Sequence, residues 1–268
     1  MAKKQHVLLE IGNTNIKIGI CTVDELLFSY ALPTDTGMTS DLLGLRIMEV
    51  IRHCGVKAES LGSCVGSSVG PAVNPQARRA CKKYLGNRLF FMAEDVPVPL
   101  ENRYQNPHEV GADRLVASYA ARVLYPEPES LISVDLGTAT TFDCVSGNSY
   151  LGGLICPGLL SSAQNLAART AKLPQISLEL DESEPLVGVS TSVSLNHGFL
   201  FGFAAMSEGL VARLRKALPG DVKVVVTGGF STTLAKVANC FNYVRPDLLL
   251  EGLRISLPLL GEELVACK

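Results

Sequence analysis

The sequence predicts an α/β protein made of two copies of one unit, each with three strands followed by alternating helices and strands. The first observation is a repeat: residues 8–14 and 133–141 are both an apolar run ending in a carboxylate, then a glycine, then Asn or Thr residues. The second is that short β-like runs give way to alternating helical and strand patterns after each copy. Together they favour internal duplication of a βββαβα unit.

In the first half, three short apolar runs open the chain at residues 7–11, 15–22 and 25–31. The turns between them are too short for anything but antiparallel pairing. Ser40 and Asp41 are predicted to cap a helix that ends near His53, because apolar residues follow at helical spacing. The remaining predicted elements are a strand at 61–65, a basic amphipathic helix at 74–85 and a strand at 88–92.

Prolines mark residues 95–110 as a loop, and a helix is predicted from Ala112 to Leu124. The pattern then restarts, with predicted strands at 131–135, 140–145, 149–151, 224–227 and 241–244 and helices at 161–172, 194–218, 231–238 and after Pro246. A chain of 268 residues is long enough for one large or two small domains. The predicted domains are residues 1–115 and 116–268.

Composition narrows the class of function. Hydrophobic residues make up 47% of the chain and charged residues 19%, as in a well-packed soluble protein. The absence of Trp and the aromatic share of 6% argue against a base-stacking surface. A formal net charge of -2 gives no electrostatic basis for binding nucleic acid or a membrane. Small-molecule chemistry is the expectation.

A cytoplasmic location is expected from the N-terminal residues, the lengths of the apolar runs and the cysteines. The first residues lack the pattern of a secretory signal, and no apolar run reaches the roughly 18 residues of a membrane span. The eight cysteines are scattered without zinc-site spacing, which predicts reduced thiols.

The repeated turn has the chemistry of a phosphate site. Glycine lets the backbone approach phosphate oxygens, while Asn and Thr add hydrogen-bonding groups. A carboxylate would repel bare phosphate, so Glu10 and Asp135 imply an intervening cation, magnesium or a monovalent ion. One such turn alone is more often an ordinary hairpin turn; two copies at domain-scale separation favour a nucleotide clamp.

The duplication, together with several segments in order, resembles the type III pantothenate kinases of the actin-like ATPase and sugar-kinase superfamily. The matching segments span essentially the full length and are residues 10–15, 104–114, 135–143, 152–158, 227–229 and 246–253. The Gly-Ala-Asp-Arg and Asp-Leu-Gly-Thr-Ala-Thr-Thr segments in this order are the most specific. The resemblance implies duplicated actin-like, ribonuclease H-like domains with a nucleotide cleft between them.

The resemblance also implies ATP-dependent phosphorylation of pantothenate by a homodimer that needs Mg²⁺ and a monovalent cation, K⁺ or NH₄⁺. Asp113 matches the proton acceptor, and Asp135 matches the ligand of the monovalent cation. Pantothenate would contact Tyr104, Gly111, Ala112, Asp113, Arg114 and, from the partner subunit, Thr191. ATP would contact Glu10, Ile11, Gly12, Asn13, Thr14, Asn15, Ile16, Lys17 and Thr138.

Simpler interpretations stay open for several of these residues. Asp113 and Arg114 also fit the acid at a helix start beside a surface ion pair, and Thr191 fits a helix cap. Tyr104 could be a packed loop aromatic. Gly228 and Gly229 fit either a turn near the adenosine or a strand-to-helix turn.

One position departs from the family. Residue 10 is Glu where the family has Asp, and the extra methylene moves the carboxylate by roughly 1 Å, a shift that can cost on the order of 100-fold in rate. Two alternatives to the pantothenate kinase remain: a catalytically weak or silent nucleotide-binding regulator of the same fold, which Glu10 would explain, and a kinase for another small alcohol.

Overall fold

The computed structural model describes residues 3–170, 172–181 and 183–261. They form two compact units: the first contains residues 3–100, 105–120 and 247–261, and the second contains the described part of 101–104 and 121–246. The predicted boundary between 115 and 116 differs from this division. The physical reason is that the apolar faces of two later helical segments, 112–120 and 248–260, are buried in the first unit's core.

The first unit contains a five-stranded mixed sheet. Its strands are β1 (Gln5–Ile11), β2 (Asn15–Cys21), β3 (Leu26–Pro33), β4 (Leu61–Ser68) and β5 (Leu89–Phe91), in the order β3-β2-β1-β4-β5. The hairpin pairs are antiparallel, and β1, β4 and β5 run parallel. The helices are α1 (Ser40–His53), α2 (Asn74–Ala80), α3 (Ala112–Leu124, through Ala120 in this unit) and α7 (Leu248–Ile255).

The second unit repeats this strand order. Its strands are β6 (Glu101–Asn102), β7 (Ser130–Leu136), β8 (Ala139–Ser146), β9 (Ser149–Pro157), β10 (Val222–Thr227) and β11 (Tyr243–Val244). Their order is β11-β10-β7-β8-β9-β6, so β9-β8-β7-β10-β11 corresponds strand by strand to the first sheet, with β6 added at the edge. Its helices are α4 (Leu159–Ala168), α5 (Thr191–Ala217) and α6 (Ser231–Leu234). The predicted duplication is confirmed.

Alternation along the strands gives the first sheet two apolar faces. Leu9 and its neighbours on one face pack with buried residues of α1 and α2. Leu8 and Val65 on the opposite face pack with Val116 of α3 and with leucines of α7. Since successive side chains of a strand point to opposite faces, Glu10 shares the face of Leu8 and lies at the end of β1 beside the α3 and α7 layer.

Several predicted boundaries need correction. The N-cap of α1 is Thr39, whose Oγ1 accepts the Leu42 N–H at 3.2 Å, because Ser40 and Asp41 already lie within the helix. The helix predicted at 74–85 is α-helical only to Ala80 and continues as a π-helical turn at Cys81–Leu85. Strand β9 extends to Pro157, well past the predicted 151, because its pairing with β8 continues to Ala139.

The cysteines of the described residues, seven in number, are all free thiols, and Cys267 lies outside those residues. Within the same part of the chain, none of the helices is long and apolar enough to cross a membrane.

Candidate functional site

The first predicted phosphate turn joins β1 to β2. It is closed by the Gly12 N–H, which donates to the Asn15 carbonyl at 2.9 Å. A Cβ at Gly12 would lie 3.0 Å from that carbonyl oxygen, so the turn leaves little room for a larger residue there. Thr34 fixes the turn from β3: its hydroxyl donates to the Gly12 carbonyl at 2.8 Å and its N–H to the Thr14 carbonyl at 2.9 Å. Sequence reasoning missed Thr34, since its role depends on strand pairing.

The side chains of this turn divide into two groups. Those of Asn13, Thr14 and Asn15 are exposed and can reach a ligand. Those of Ile11 and Ile16 are each 1% exposed and belong to the apolar core. Of the predicted ATP contacts, Ile11 and Ile16 can therefore offer only backbone groups.

Glu10 and Lys17 lie opposite each other in the β1–β2 register. The Lys17 Nζ is 3.4 Å from the Glu10 Oε2, and no hydrogen-bond donor among the described residues satisfies that buried oxygen. The Ser67 hydroxyl, on the β4 residue paired with Glu10, is buried and equally unsatisfied within the described chain. Buried polar atoms normally have partners, so this pair indicates a place for a polar ligand, ion or water.

Burial raises the pKa of Glu10 above its usual range, and the Lys17 ammonium opposes that shift. The carboxylates of Asp113 and Asp247 raise the pKa of Glu10 further. Glu10, Lys17, Asp113 and Asp247 therefore share one electrostatic environment within the first unit. Asp247 was not predicted as a site residue, although it belongs to the matching segment 246–253.

Asp113 lies in the first turn of α3, which begins at Ala112. Its Oδ1 accepts the backbone N–H of Arg114 at 2.8 Å. A Cβ at Gly111 would overlap this carboxylate, so glycine at 111 allows the observed orientation. Burial raises the pKa of Asp113, while the Arg114 N–H and the Arg114 charge act in the opposite direction. A carboxylate with a raised pKa is a better proton acceptor than an exposed one.

The second predicted phosphate turn joins β7 to β8, and the Gly137 N–H donates to the Ala139 carbonyl at 3.1 Å. Gly158, at the start of α4, packs so closely on the backbone of Gly137 and Thr138 that a Cβ would clash there. Ser161 adds a hydrogen bond from its hydroxyl to the Thr138 carbonyl at 2.9 Å. Gly158, the last residue of the matching segment 152–158, thus supports the turn.

Asp135, the penultimate residue of β7, lies next to Gly228, which follows β10. The position of a Cβ on Gly228 would be 2.6 Å from the Asp135 Oδ1 and 2.7 Å from the Leu136 carbonyl oxygen. Gly228 has a φ of +92°, a conformation that favours glycine. The Gly228–Gly229 turn therefore allows close approach to Asp135.

A buried carboxylate that sequence reasoning did not single out supports the second turn. Thr141 pairs with Asp135 in the β7–β8 register, and its hydroxyl donates to the Asp143 Oδ2 at 2.9 Å. The Tyr150 hydroxyl donates to the Asp143 Oδ1 at 2.8 Å. Asp143 is 2% exposed, so these bonds fix Thr141 from the interior of the second unit.

Tyr104 and Thr191 both belong to the second unit. The Tyr104 ring packs against Gly152, where a Cβ would come within 3.1 Å of it. Thr191 is exposed at the start of α5, whose N-cap is Ser190. It lines an open surface depression of about 540 Å³ that contains none of the other predicted site residues.

The donor atoms fit the implied cations. The described residues contain no cluster of three or more His, Cys, Asp or Glu side chains suited to a metal. Magnesium in phosphoryl-transfer sites commonly takes one or two carboxylates plus substrate phosphates, and the unsatisfied Glu10 Oε2 can serve as such a ligand. A carboxylate and a carbonyl oxygen, as at Asp135 and Leu136, are suitable donors for potassium.

Solved structures place the fold in a known class. The chain is similar to the ethanolamine utilization protein EutJ from Carboxydothermus hydrogenoformans, with 14% identity, a TM-score of 0.57 and coverage of 97% of this chain and 91% of that one. It is also similar to the inorganic polyphosphate/ATP-glucomannokinase from Arthrobacter sp. strain KM, with 13% identity, a TM-score of 0.52 and coverage of 97% and 100%. At these identities the likeness shows the fold alone, the duplicated actin-like ATPase and sugar-kinase fold.

Sequence comparison gives the family within that class. The profile of the family described as type III pantothenate kinase matches residues 6–213. A type III pantothenate kinase from Nitratidesulfovibrio vulgaris (strain DSM 19637 / Miyazaki F) is 62% identical over 252 residues, covering 94% of this chain and 96% of the relative. The chain belongs to the type III pantothenate kinase family.

Proposed function

We propose that this protein is an ATP-dependent kinase that phosphorylates the primary hydroxyl of pantothenate. The product is 4′-phosphopantothenate, in the first step of coenzyme A biosynthesis, and the proposed location is the cytoplasm. Family membership supports the activity. The observation that carries the assignment is the half-buried Asp113 carboxylate, oriented by Arg114 and Gly111 at the start of α3.

Asp113 is the proposed proton acceptor. Phosphoryl transfer needs mostly positioning and charge stabilisation, with a carboxylate within hydrogen-bond reach of the substrate hydroxyl. The hydroxyl proton passes to the Asp113 carboxylate as the substrate oxygen bonds to the γ-phosphorus and the bond to the ADP leaving oxygen breaks. Arg114 is proposed to bind the pantothenate carboxylate or the developing phosphate charge through its fork of N–H donors. Tyr104, Gly111 and Ala112 complete the proposed substrate contacts.

Residues 10–17 and Thr138 are the proposed ATP contacts. The exposed Asn13, Thr14 and Asn15 side chains and the Lys17 ammonium provide hydrogen bonds and positive charge for phosphate oxygens. Glu10 is the proposed Mg²⁺ ligand and Asp135 the proposed ligand of K⁺ or NH₄⁺. When bound, these cations offset the negative charge of the phosphates beside the two carboxylates.

A homodimer with Thr191 supplied to the partner's pantothenate site is part of the proposal. Thr191 is exposed, and the segment that precedes it carries exposed apolar side chains: Leu186 is 65%, Val187 80% and Val189 81% exposed. Burying such side chains against a second copy would be favourable.

The activity is tested by ADP release from purified protein with ATP, Mg²⁺ and K⁺, with and without pantothenate. We expect pantothenate-dependent release that Asp113→Asn abolishes and that Asp24→Asn, at an exposed surface carboxylate, leaves intact. An Asp113→Asn variant with undiminished activity would contradict the assignment of the base. Turnover only in Glu10→Asp would show a kinase fold disabled at one carboxylate, and no turnover in either form would refute the substrate.

The dimer is tested by mixing two inactive variants, Asp113→Asn and Thr191→Arg. Because each proposed site takes Asp113 from one subunit and Thr191 from the other, a mixed dimer has one intact site. We expect recovery on the order of a quarter of native turnover if subunits mix at random. Mixed dimers without recovery would place both residues in one subunit's site or remove Thr191 from it.

A further inference from the structure

We propose that Asp247 is a positioning residue for Lys17. Its attraction for the Lys17 ammonium prevents a close ion pair between Lys17 and Glu10, so that Lys17 can reach ATP. This inference rests on the proposed function, since it assumes that Lys17 contacts ATP. Asp247 lies at the start of α7, on the same face of the first sheet as Glu10.

The position of Asp247 in its helix gives the first argument. Asp247 is the N-cap residue of α7, where an aspartate side chain ordinarily accepts an N–H group of the first turn. Here the described residues show no such side-chain bond. The Asp247 Oδ1 instead accepts the Ser29 hydroxyl at 3.1 Å and lies 4.0 Å from the Lys17 Nζ. The carboxylate is therefore directed toward Ser29 of β3 and Lys17 of β2 and does not cap its own helix.

The distances around Lys17 give the second argument. Its ammonium is 3.4 Å from Glu10 and 4.0 Å from Asp247, both longer than the roughly 2.8 Å of a charge-assisted hydrogen bond. A cation placed between two carboxylates is attracted by both, so the attraction of each carboxylate opposes a closer approach of the cation to the other. Lys17 is thereby kept near the turn without a short bond to Glu10. Glu10 also keeps a buried oxygen that no described donor satisfies.

Removal of the Asp247 charge tests this arrangement. With Asp247→Asn, Lys17 loses the attraction of this carboxylate and should pair closely with Glu10, withdrawing from ATP. We expect the dissociation constant for ATP with Mg²⁺, measured by calorimetry without pantothenate, to rise about two- to fivefold, the range of a partly exposed ion pair. The KM for pantothenate should not change.

Asp247→Asn also has a second electrostatic effect on ATP affinity, of opposite sign, so the direction of the affinity change distinguishes the two effects. Loss of a negative charge by itself would favour binding of the ATP polyanion. The Asp247 side chain is 35% exposed, so solvent screens that repulsion, and the loss of positioning should prevail. Tighter ATP binding by Asp247→Asn would overturn the proposal, as would an unchanged affinity.

Three further single variants and one double variant separate positioning from a structural role. Ser29→Ala removes the hydrogen bond to Asp247 but keeps its charge, and Asp24→Asn removes a surface carboxylate paired with Lys3. Both should bind ATP like the native protein. Lys17→Met should weaken ATP binding more than Asp247→Asn, and the double variant Lys17→Met/Asp247→Asn should bind no more weakly than Lys17→Met. Additive effects in that double variant, or a Ser29→Ala effect as large as that of Asp247→Asn, would overturn the positioning role.

Calorimetry without pantothenate also separates this inference from the proposed function. A native protein that binds ATP but does not phosphorylate pantothenate would refute the substrate assignment, while the Asp247 comparison would still decide the positioning role. A native protein that does not bind ATP would refute both.

Discussion

At the carboxyl group of Asp113, burial and hydrogen bonding act in opposite directions. Burial disfavours the charged form and raises the pKa, whereas the Arg114 N–H and guanidinium favour the carboxylate. The net shift is upward, and Gly111 is what allows this orientation. The pKa and the orientation of the Asp113 carboxyl group thus depend on Arg114 and Gly111, which are close to it in the chain.

The raised pKa of Asp113 predicts the pH dependence of activity. The base must be deprotonated, so kcat/KM for pantothenate should fall as pH decreases through the raised pKa of Asp113, above the roughly 3.9 of an ordinary aspartate. A pH–rate profile measures this fall. Because the pKa of Glu10 is also raised, a Glu10→Gln variant with residual turnover should keep the acidic fall; its disappearance there would assign the fall to Glu10.

The same shift affects stability with a definite sign. Between the unfolded pKa and the raised folded pKa of Asp113, the folded protein binds more protons than the unfolded chain. The free energy of unfolding therefore decreases as pH rises through that interval. Asp113→Asn should remove this contribution, which denaturant titrations of both proteins across the interval would detect; an identical pH dependence would contradict the burial of the charge.

Gly111→Ala should lower turnover strongly while the protein stays folded. The added Cβ would overlap the Asp113 carboxylate and rotate it, and misplacement by roughly 1 Å can cost on the order of 100-fold in rate. Steady-state kinetics with a thermal-unfolding control would measure the effect. Gly37→Ala, in an exposed turn whose nearest atom is the flexible end of Asp35 at 3.3 Å, is the matched control and should keep native activity. A fully active Gly111→Ala would contradict the need for this orientation.

At the level of secondary-structure elements, a glycine of α1 makes room for the π-helical turn that follows α2. Gly44 is buried in α1, and a Cβ there would overlap the ring of Tyr84 in the turn Cys81–Leu85. Tyr84 is also held by its hydroxyl, which donates to the Asp41 carboxylate at 3.0 Å. A residue that is unfavourable for helix formation is thus required by packing.

Gly44→Ala should destabilise the protein by about 1–3 kcal/mol, the usual cost of overpacking, although alanine is the better helix former. Denaturant unfolding would measure it. Gly202→Ala in α5 is the control. An added Cβ there would have no described atom within 4 Å apart from its chain neighbours and its own helix backbone, so the change should be neutral or stabilising by up to about 1 kcal/mol. Equal effects at both positions would contradict the packing argument.

At the scale of the whole molecule, the chain returns to its first unit after completing the second. Leucines of α7 and of the following 3₁₀ turn (Leu257–Leu260) are buried with β1 and β4 in the first unit's second core. A fragment that ends at the predicted boundary of 115 would lack this layer and leave one face of its sheet uncovered.

Leu253→Ala should therefore destabilise the first unit by about 2–5 kcal/mol, because Leu253 is fully buried. Leu259→Ala, nearby but 37% exposed, should change stability by about 0.5 kcal/mol or less. Hydrogen exchange would report the loss of protection in β1 and β4. Equal destabilisation by both variants, or loss confined to β7 and β8, would contradict this assignment.

Three features could be predicted from the sequence alone: the duplicated fold, the two acid-x-Gly turns and the family. These follow from strand periodicity, the repeated acid-x-Gly pattern and ordered motifs, all local in the chain. Contacts between residues far apart in the chain are visible only in the three-dimensional structure. Thr34 fixes the first turn from another strand, Asp247 reaches Lys17 across 230 positions, and the α7 leucines belong to the first core. Burial and pairing across the sheet set these contacts, and no local pattern records them.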